Sequence, residues 1–97
     1  MNNNELLSLL KNFLNIEFNE SDKRLEDIIK NSIIVMRERI GANIDFLKDL
    51  SARLFFLNYC KYVYFGEDQI FFENYKDEYL RLRSIYEAED ANAEDQA

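Results

Sequence analysis

The sequence ARLFFLNYCKYVYFG, residues 52–66, lies near the middle of the 97-residue chain and holds its densest group of apolar side chains. Between Leu54 and Phe65 nearly every position is apolar, whichever side of a helix it would face. A helix that is apolar on all sides is central to its fold or is shared between two chains. We therefore predict a central helix over about residues 46–65, ended by Gly66.

Three further helices are predicted around this one. Residues 4–14 carry leucines at helical spacing, and residues 21–40 carry an apolar stripe of Leu, Ile and Met at intervals of three and four. Gly41 follows the second of these helices, at a position where a left-handed capping residue is common. The last helix is expected over about residues 67–87, where aromatic residues and leucine form the stripe.

The composition also favours helices. The chain has no proline and only two glycines, whereas a sandwich or barrel needs many tight turns rich in both. Hydrophobic residues make up 47% and charged residues 32%, which is typical of a globular domain. The predicted fold class is all-α: a small bundle of four helices, one short and three long, over residues 1–87. A disordered acidic C-terminal tail is predicted over residues 88–97.

The net charge of −7 is concentrated at the C-terminus. Five of the 19 acidic residues lie at or after Glu87 and none of the 12 lysines and arginines does, which leaves 14 acids and 12 bases in residues 1–86. The predicted bundle is therefore close to neutral. A dedicated binder of the phosphate backbone needs a basic face, so the sequence disfavours that class of protein.

Catalytic and metal-binding patterns are missing from the sequence. It has no histidine, and its one cysteine, Cys60, is expected to be buried among aromatic residues. It has no glycine-rich phosphate loop. Carboxylates adjacent in sequence, such as Asp77 and Glu78, point about 100° apart on a helix and do not form an acid/base pair. We expect no catalytic residue, no metal site and no cofactor, and we predict that the protein is not an enzyme.

No membrane partner is expected either. The first residues, Met1 to Glu5, lack the positive charge that begins a signal peptide. No apolar run approaches the roughly 18 residues that a membrane-spanning helix needs. The sequence therefore predicts a soluble, cytoplasmic protein.

The aromatic residues are unevenly distributed. Twelve of the fourteen Phe and Tyr residues lie between Phe46 and Tyr86. Aromatic residues on a helical stripe usually fill the core, and any single one of them can be interpreted as a core residue. Together they exceed what one small domain is expected to cover, so we predict that some contact another chain. Tyrosine and arginine are favoured at interfaces, and two apolar residues of the second helix lie off its stripe. The candidate subunit or partner interface is Ile34, Val35, Tyr59, Tyr62, Tyr64, Tyr75, Tyr79, Arg81 and Arg83.

The order of these segments resembles a known family. The chain opens with LLSLLKNFL at residues 6–14 and continues with the acidic step and helix ESDKRLEDII at residues 20–29. The central stretch of residues 52–66 follows, and then FENY at residues 72–75 and LRLR at residues 80–83. This succession resembles the head–tail connector (head-completion, adaptor) proteins of tailed bacteriophages and prophages. The likeness covers about residues 5–87 and includes no catalytic motif.

The resemblance implies a structural role in virion assembly. It implies a ring of identical subunits that docks on the phage portal protein, meets the next tail-side connector protein and extends the DNA channel toward the tail. DNA would pass through that channel without specific binding. The C-terminal segment would reach the portal and become ordered there. The implied location is the host cytoplasm during assembly and afterwards the neck of the virion.

Two other classes of protein remain as alternatives. A small acidic inhibitor or immunity-type protein would cover a basic protein partner, and it would remain a monomer or dimer. A helix-turn-helix regulator would need a basic recognition helix, and the sequence offers none.

Overall fold

The computed structural model describes the backbone of residues 3–96 and the side chains of residues 3–89. Within this range every regular element is helical and there is no strand, which confirms the predicted all-α class. A 3-10 turn at Asp68–Ile70 precedes the fourth helix. The helices are α1 (Asn3–Leu14), α2 (Asp22–Arg39), α3 (Leu50–Tyr64), α4 (Phe71–Asn74) and α5 (Lys76–Gln96).

The core forms where α1, α2 and α3 pack on one another. Leu6 and Leu10 of α1 are fully buried, as expected for positions one helical turn apart. The predicted stripe of α2 faces the same core, and this part of the sequence prediction is confirmed. Its buried apolar residues are Leu25, Ile28, Ile29, Ile33 and Met36.

The end of α2 differs from the prediction in its detail. The helix ends at Arg39, and Ile40 follows with a φ of −114°. Gly41 does not have a positive φ, so the left-handed cap predicted there is wrong. Instead Gly41 is buried, and its carbonyl accepts a hydrogen bond from the amide of Ile44 in the turn that leads toward α3.

The central helix begins four residues later than residue 46, because two aspartates shape the segment before it. Asp45 accepts hydrogen bonds from the amides of Leu47 and Lys48, at 2.9 and 3.2 Å, and holds that segment in a turn. Asp49 then caps α3 by accepting from the amide of Ala52 at 3.1 Å. The turn still contributes to the core.

Phe46 is the residue of this turn that packs in the core. Its side chain is fully buried, and its ring stacks on that of Phe56 at a centroid distance of 4.3 Å. Arg53 fixes this arrangement by donating to the main-chain carbonyls of Phe46 and Leu47.

The predicted fourth helix is divided in two. Gly66 turns the chain with a φ of +73°, the 3-10 turn and the single turn of α4 follow, and Tyr75 (φ −109°, ψ 30°) separates α4 from α5. The interruption lets α4 place Phe71 in the core while α5 places Leu82 and Tyr86 against α3.

The backbone of α5 continues to Gln96 and so includes most of the predicted tail. The side chains of residues 90–97 lie outside the described residues. The prediction that residues 88–97 are disordered in isolation therefore stays a prediction.

Helix α5 runs antiparallel to α3 and is fixed to it by two tyrosine hydroxyls. The Tyr86 hydroxyl donates to Asp49 Oδ2 at 2.7 Å, at the start of α3. The Tyr75 hydroxyl donates to Asn58 Oδ1 at 3.3 Å, in the second half of α3. Burial, and then the hydrogen bond to Asp49, raises the pKa of Tyr86, so this hydroxyl stays protonated and able to donate.

The carboxylate of Asp49 is held in its charged form. Partial burial alone would raise the pKa of Asp49, but several neighbours together lower it below the ordinary value of 3.8. These are the hydrogen bonds from Tyr86, Ala52 and Ser51 and the positive charge of Arg81. The stability that Asp49 contributes is complete above its unfolded-state pKa, and it is lost as the pH falls through the lowered folded-state pKa.

We predict that Tyr86→Phe lowers the free energy of unfolding at neutral pH by roughly 1–2 kcal/mol, because a hydrogen bond to a charged acceptor is lost. The loss should shrink as Asp49 becomes protonated in acid. Urea denaturation at neutral pH and near pH 3 measures both effects. Tyr64→Phe is the matched control, because no hydrogen bond of the Tyr64 hydroxyl is formed within the described residues. Equal losses in the two variants would contradict the prediction.

Candidate protein-binding surfaces

Most of the aromatic side chains are covered within a single chain. Of the twelve between Phe46 and Tyr86, only Phe65 is largely exposed, at 61%. Five are partly buried: Tyr62, Tyr64, Phe72, Tyr75 and Tyr79. Six are buried: Phe46, Phe55, Phe56, Tyr59, Phe71 and Tyr86. The expectation that one small domain cannot cover this aromatic surface is therefore met only in part.

Phe71 explains why so many rings are hidden. It is fully buried, and its ring contacts five others at centroid distances between 4.6 and 5.2 Å. Three of the five belong to α3, so α4 is attached to α3 through this ring. The five contacting rings are Phe55, Tyr59, Tyr62, Phe72 and Tyr75.

The nine predicted interface residues do not share one surface. Ile34 is 54% exposed and lies on the outer side of α2, one helical turn from Lys30 and Glu38. Its neighbour Val35 lines a groove on the other side of that helix, together with Tyr59, which is only 7% exposed. Tyr59 packs inside its own chain. A single exposed apolar residue among charges is ordinary on a protein surface, so Ile34 alone does not define a site.

The remaining six predicted residues divide among five places. Tyr64 lies beneath the guanidinium of Arg24, whose carbon is 4.5 Å from the ring centroid. The hydroxyl of Tyr79 donates to the carbonyl of Arg39 at 3.4 Å, which ties α5 to the end of α2. Tyr62 and Tyr75 belong to the ring cluster around Phe71. Arg83 lies on the exposed side of α5, where it pairs with Glu87 at 2.8 Å. Arg81 lines the groove between α3 and α5. Whether these nine residues contact a partner stays a prediction.

A groove of about 620 Å³ lies between α2 and α3. Its rim carries charges of both signs, and Lys23 pairs with Asp27 at 3.2 Å. Arg24 donates to the carbonyl of Tyr64 at 2.7 Å and closes one end. The floor is formed by apolar residues with Ser32, which is buried and hydrogen-bonded to Cys60. The groove therefore combines a charged rim with a largely apolar floor.

The nine predicted interface residues do not include the three most exposed large apolar residues of the described chain. Leu50 is 69% exposed and Leu54 is 56% exposed, and both lie on the same side of α3 as Phe65. Asn58 and Lys61 lie between them at helical intervals. We call these five residues the outer face of α3. The buried residues of α3 are Ala52, Phe55, Phe56, Leu57, Tyr59 and Cys60; Leu57 borders the outer face, and the other five lie away from it.

Two hollows lie end to end along the outer face of α3. The first, about 150 Å³, lies between α3 and α5 and includes Leu54, Glu78 and Arg81. The second, about 400 Å³, includes Lys61, Phe65 and Glu67. Both are lined by Asn58 and Tyr75, so the hydrogen bond between these two residues marks the border between the hollows. The surface therefore combines exposed apolar side chains with charges of both signs.

No protein-family model, no curated protein and no solved structure matches this chain. Within residues 3–96 no helix combines the length and the apolarity that a membrane-spanning segment requires. Among the described side chains no three of His, Cys, Asp and Glu are grouped so that they could hold a metal ion.

We predict that Cys60 of the folded protein is nearly inert to thiol reagents. Burial raises the pKa of this thiol to about 12, from an ordinary value of 9.0. Because only the thiolate reacts, modification near pH 8 should be about a thousandfold slower in the folded protein than in concentrated guanidinium chloride. Colour development with an aromatic disulfide reagent measures both rates. Comparable rates in the two solutions would show that Cys60 is accessible and would contradict the burial described here.

Proposed function

We propose that this protein is a structural subunit that acts by binding other protein chains and has no catalytic role. The observation that carries the proposal is the outer face of α3, where Leu50, Leu54 and Phe65 remain more than half exposed on the central helix. Contiguous apolar surface rimmed by polar groups is typical of protein interaction sites. Fully covering a leucine side chain contributes roughly 1.5–3 kcal/mol to a complex, before the entropic cost of association is subtracted.

Within this class we propose a head–tail connector subunit of a tailed phage or prophage. The ring would dock on the portal protein, meet the next tail-side connector protein and let DNA pass without specific binding. A ring needs two different contact surfaces on each subunit. Two candidates are available: the outer face of α3, and the groove between α2 and α3. The order of segments that resembles this family supplies the rest of the support, and the location would be the host cytoplasm and then the virion neck.

The near balance of charge over residues 1–86 suits a channel wall. With 14 acids and 12 bases in that range, the bundle has no large basic excess that would retain passing DNA. No cofactor takes part in this role.

We predict that Leu54→Ser weakens binding of the chain to portal rings from the same genome by about tenfold or more, because it removes a leucine that the contact covers. Ile34→Ser is the matched control. Ile34 is exposed to nearly the same extent, 54% against 56%, but lies on the outer side of α2. Its substitution should change the affinity by less than about twofold.

Negative-stain images of portal rings incubated with the chain provide the measurement. We expect an added layer of density with the cyclic symmetry of the portal, and its occupancy as a function of concentration gives the affinity. Bare portal rings at every concentration would contradict the connector role. Equal effects of Leu54→Ser and Ile34→Ser would contradict the assignment of the surface.

The net charge of −7 supports a second candidate function, a small acidic inhibitor or immunity-type protein that covers a basic partner. Such a protein would form a complex of fixed small stoichiometry with one basic protein, and that complex would weaken steeply with salt. A portal-bound ring and a salt-sensitive binary complex are distinguished by their mass in light scattering.

A further inference from the structure

We propose that the outer face of α3 pairs with the same face of a second copy of this chain, antiparallel and about a two-fold axis beside Asn58. In the free protein, another copy of the chain covers this surface. This pairing does not depend on the connector role.

The order of the charges along the face carries the proposal. Because α5 is antiparallel to α3, Arg81 lies nearer the start of α3 than Glu78 does. The positive charge of Arg81 helps to lower the pKa of Asp49, which lies at that end of α3. Beyond Asn58, toward the end of α3, come Lys61 and then Glu67. Read from the start of α3, the signs are plus, minus, plus, minus.

A two-fold axis beside Asn58 reverses this order in the second copy. Arg81 then faces the second copy's Glu67, and Glu78 faces the second copy's Lys61. Each charge meets its opposite, and each pair occurs twice. Placing the two faces in parallel register would instead set like charges against each other, which complementary interfaces avoid. Within the described side chains none of these four residues forms a close ion pair, and the only partner charge shown for any of them is that of Asp49, on which Arg81 acts.

The apolar residues follow the same symmetry. The axis brings Leu50 of one copy to Phe65 of the other, and Leu54 to the aliphatic stem of Lys61. It also exchanges the two hollows, since Asn58 lines both. At the axis the two Asn58 amides face each other, and an amide can both donate and accept a hydrogen bond. A polar residue at the centre of an apolar helix pair fixes its register.

This contact has a consequence for any larger assembly. A two-fold contact uses the same patch on both copies and is complete with two. It would keep Leu50, Leu54 and Phe65 covered in the free protein, and the pair would have to separate before this face could meet a different partner.

Charge reversals in the full chain test the pairing, with sedimentation velocity over a concentration series as the measurement. Lys61→Glu and Glu78→Lys should each weaken dimerisation about tenfold, because a two-fold contact repeats each change. The double variant Lys61→Glu/Glu78→Lys should return the dissociation constant to within about threefold of the unchanged chain. Arg81→Glu and Glu67→Arg form a second, independent swap with the same expected pattern.

The matched control is Lys30→Glu and Glu38→Lys, two charge reversals on the outer side of α2 that should leave dimerisation unchanged. Circular dichroism confirms that each variant is folded. A chain that stays monomeric at hundreds of micromolar overturns the proposal, and so does a dimer that neither swap restores. Portal binding is measured separately, so a failure of the two-fold pair and a failure of the connector role give different results.

Discussion

The burial of Phe71 among five aromatic rings is the contact on which the arrangement of the second half of the chain depends. It joins the single turn of α4 to α3, and α4 in turn positions the start of α5. A helix of four residues has no stability of its own in water. Its place is set by this one side chain, which offsets the entropy of ordering the turn by removing a large apolar ring from water.

The same packing explains which surfaces remain exposed. Phe71 occupies one side of α3 and covers Phe55, Tyr59 and part of Tyr62. The core with α1 and α2 occupies another side. What is left is a strip of α3 that no part of the described chain covers, with Leu50, Leu54 and Phe65 as its largest side chains. Most of the tyrosines predicted as contact residues pack against or hydrogen-bond to other parts of their own chain, and the exposed apolar area of this strip belongs to Leu50, Leu54 and Phe65.

The sequence predicts the helical class and the buried stripe of α2 because both depend on local spacing. It misplaces the start of α3, because the side chains of Asp45 and Asp49 compete with the helix for backbone amides. It also misses the division between α4 and α5, since no glycine or proline marks Tyr75.

The candidate surfaces are harder still to predict, for a related reason. A stretch that is apolar all round, as in residues 54–65, does not reveal which of its sides the rest of the chain will cover. That depends on where α4 and α5 dock. The charge order of Arg81, Glu78, Lys61 and Glu67 likewise combines residues from α3, α5 and the turn after α3. It becomes visible only when the antiparallel direction of α5 is known.

The two oxygens of Asp49 serve two different elements. Oδ1 accepts from the amide of Ala52 in the first turn of α3, and Oδ2 accepts from the hydroxyl of Tyr86 on α5. Fraying of that turn and undocking of α5 are therefore one cooperative opening event, with shared loss of amide protection against hydrogen exchange. Leu50 and Leu54 lie in or next to that turn. They therefore keep fixed positions on the surface only while α5 stays packed against α3.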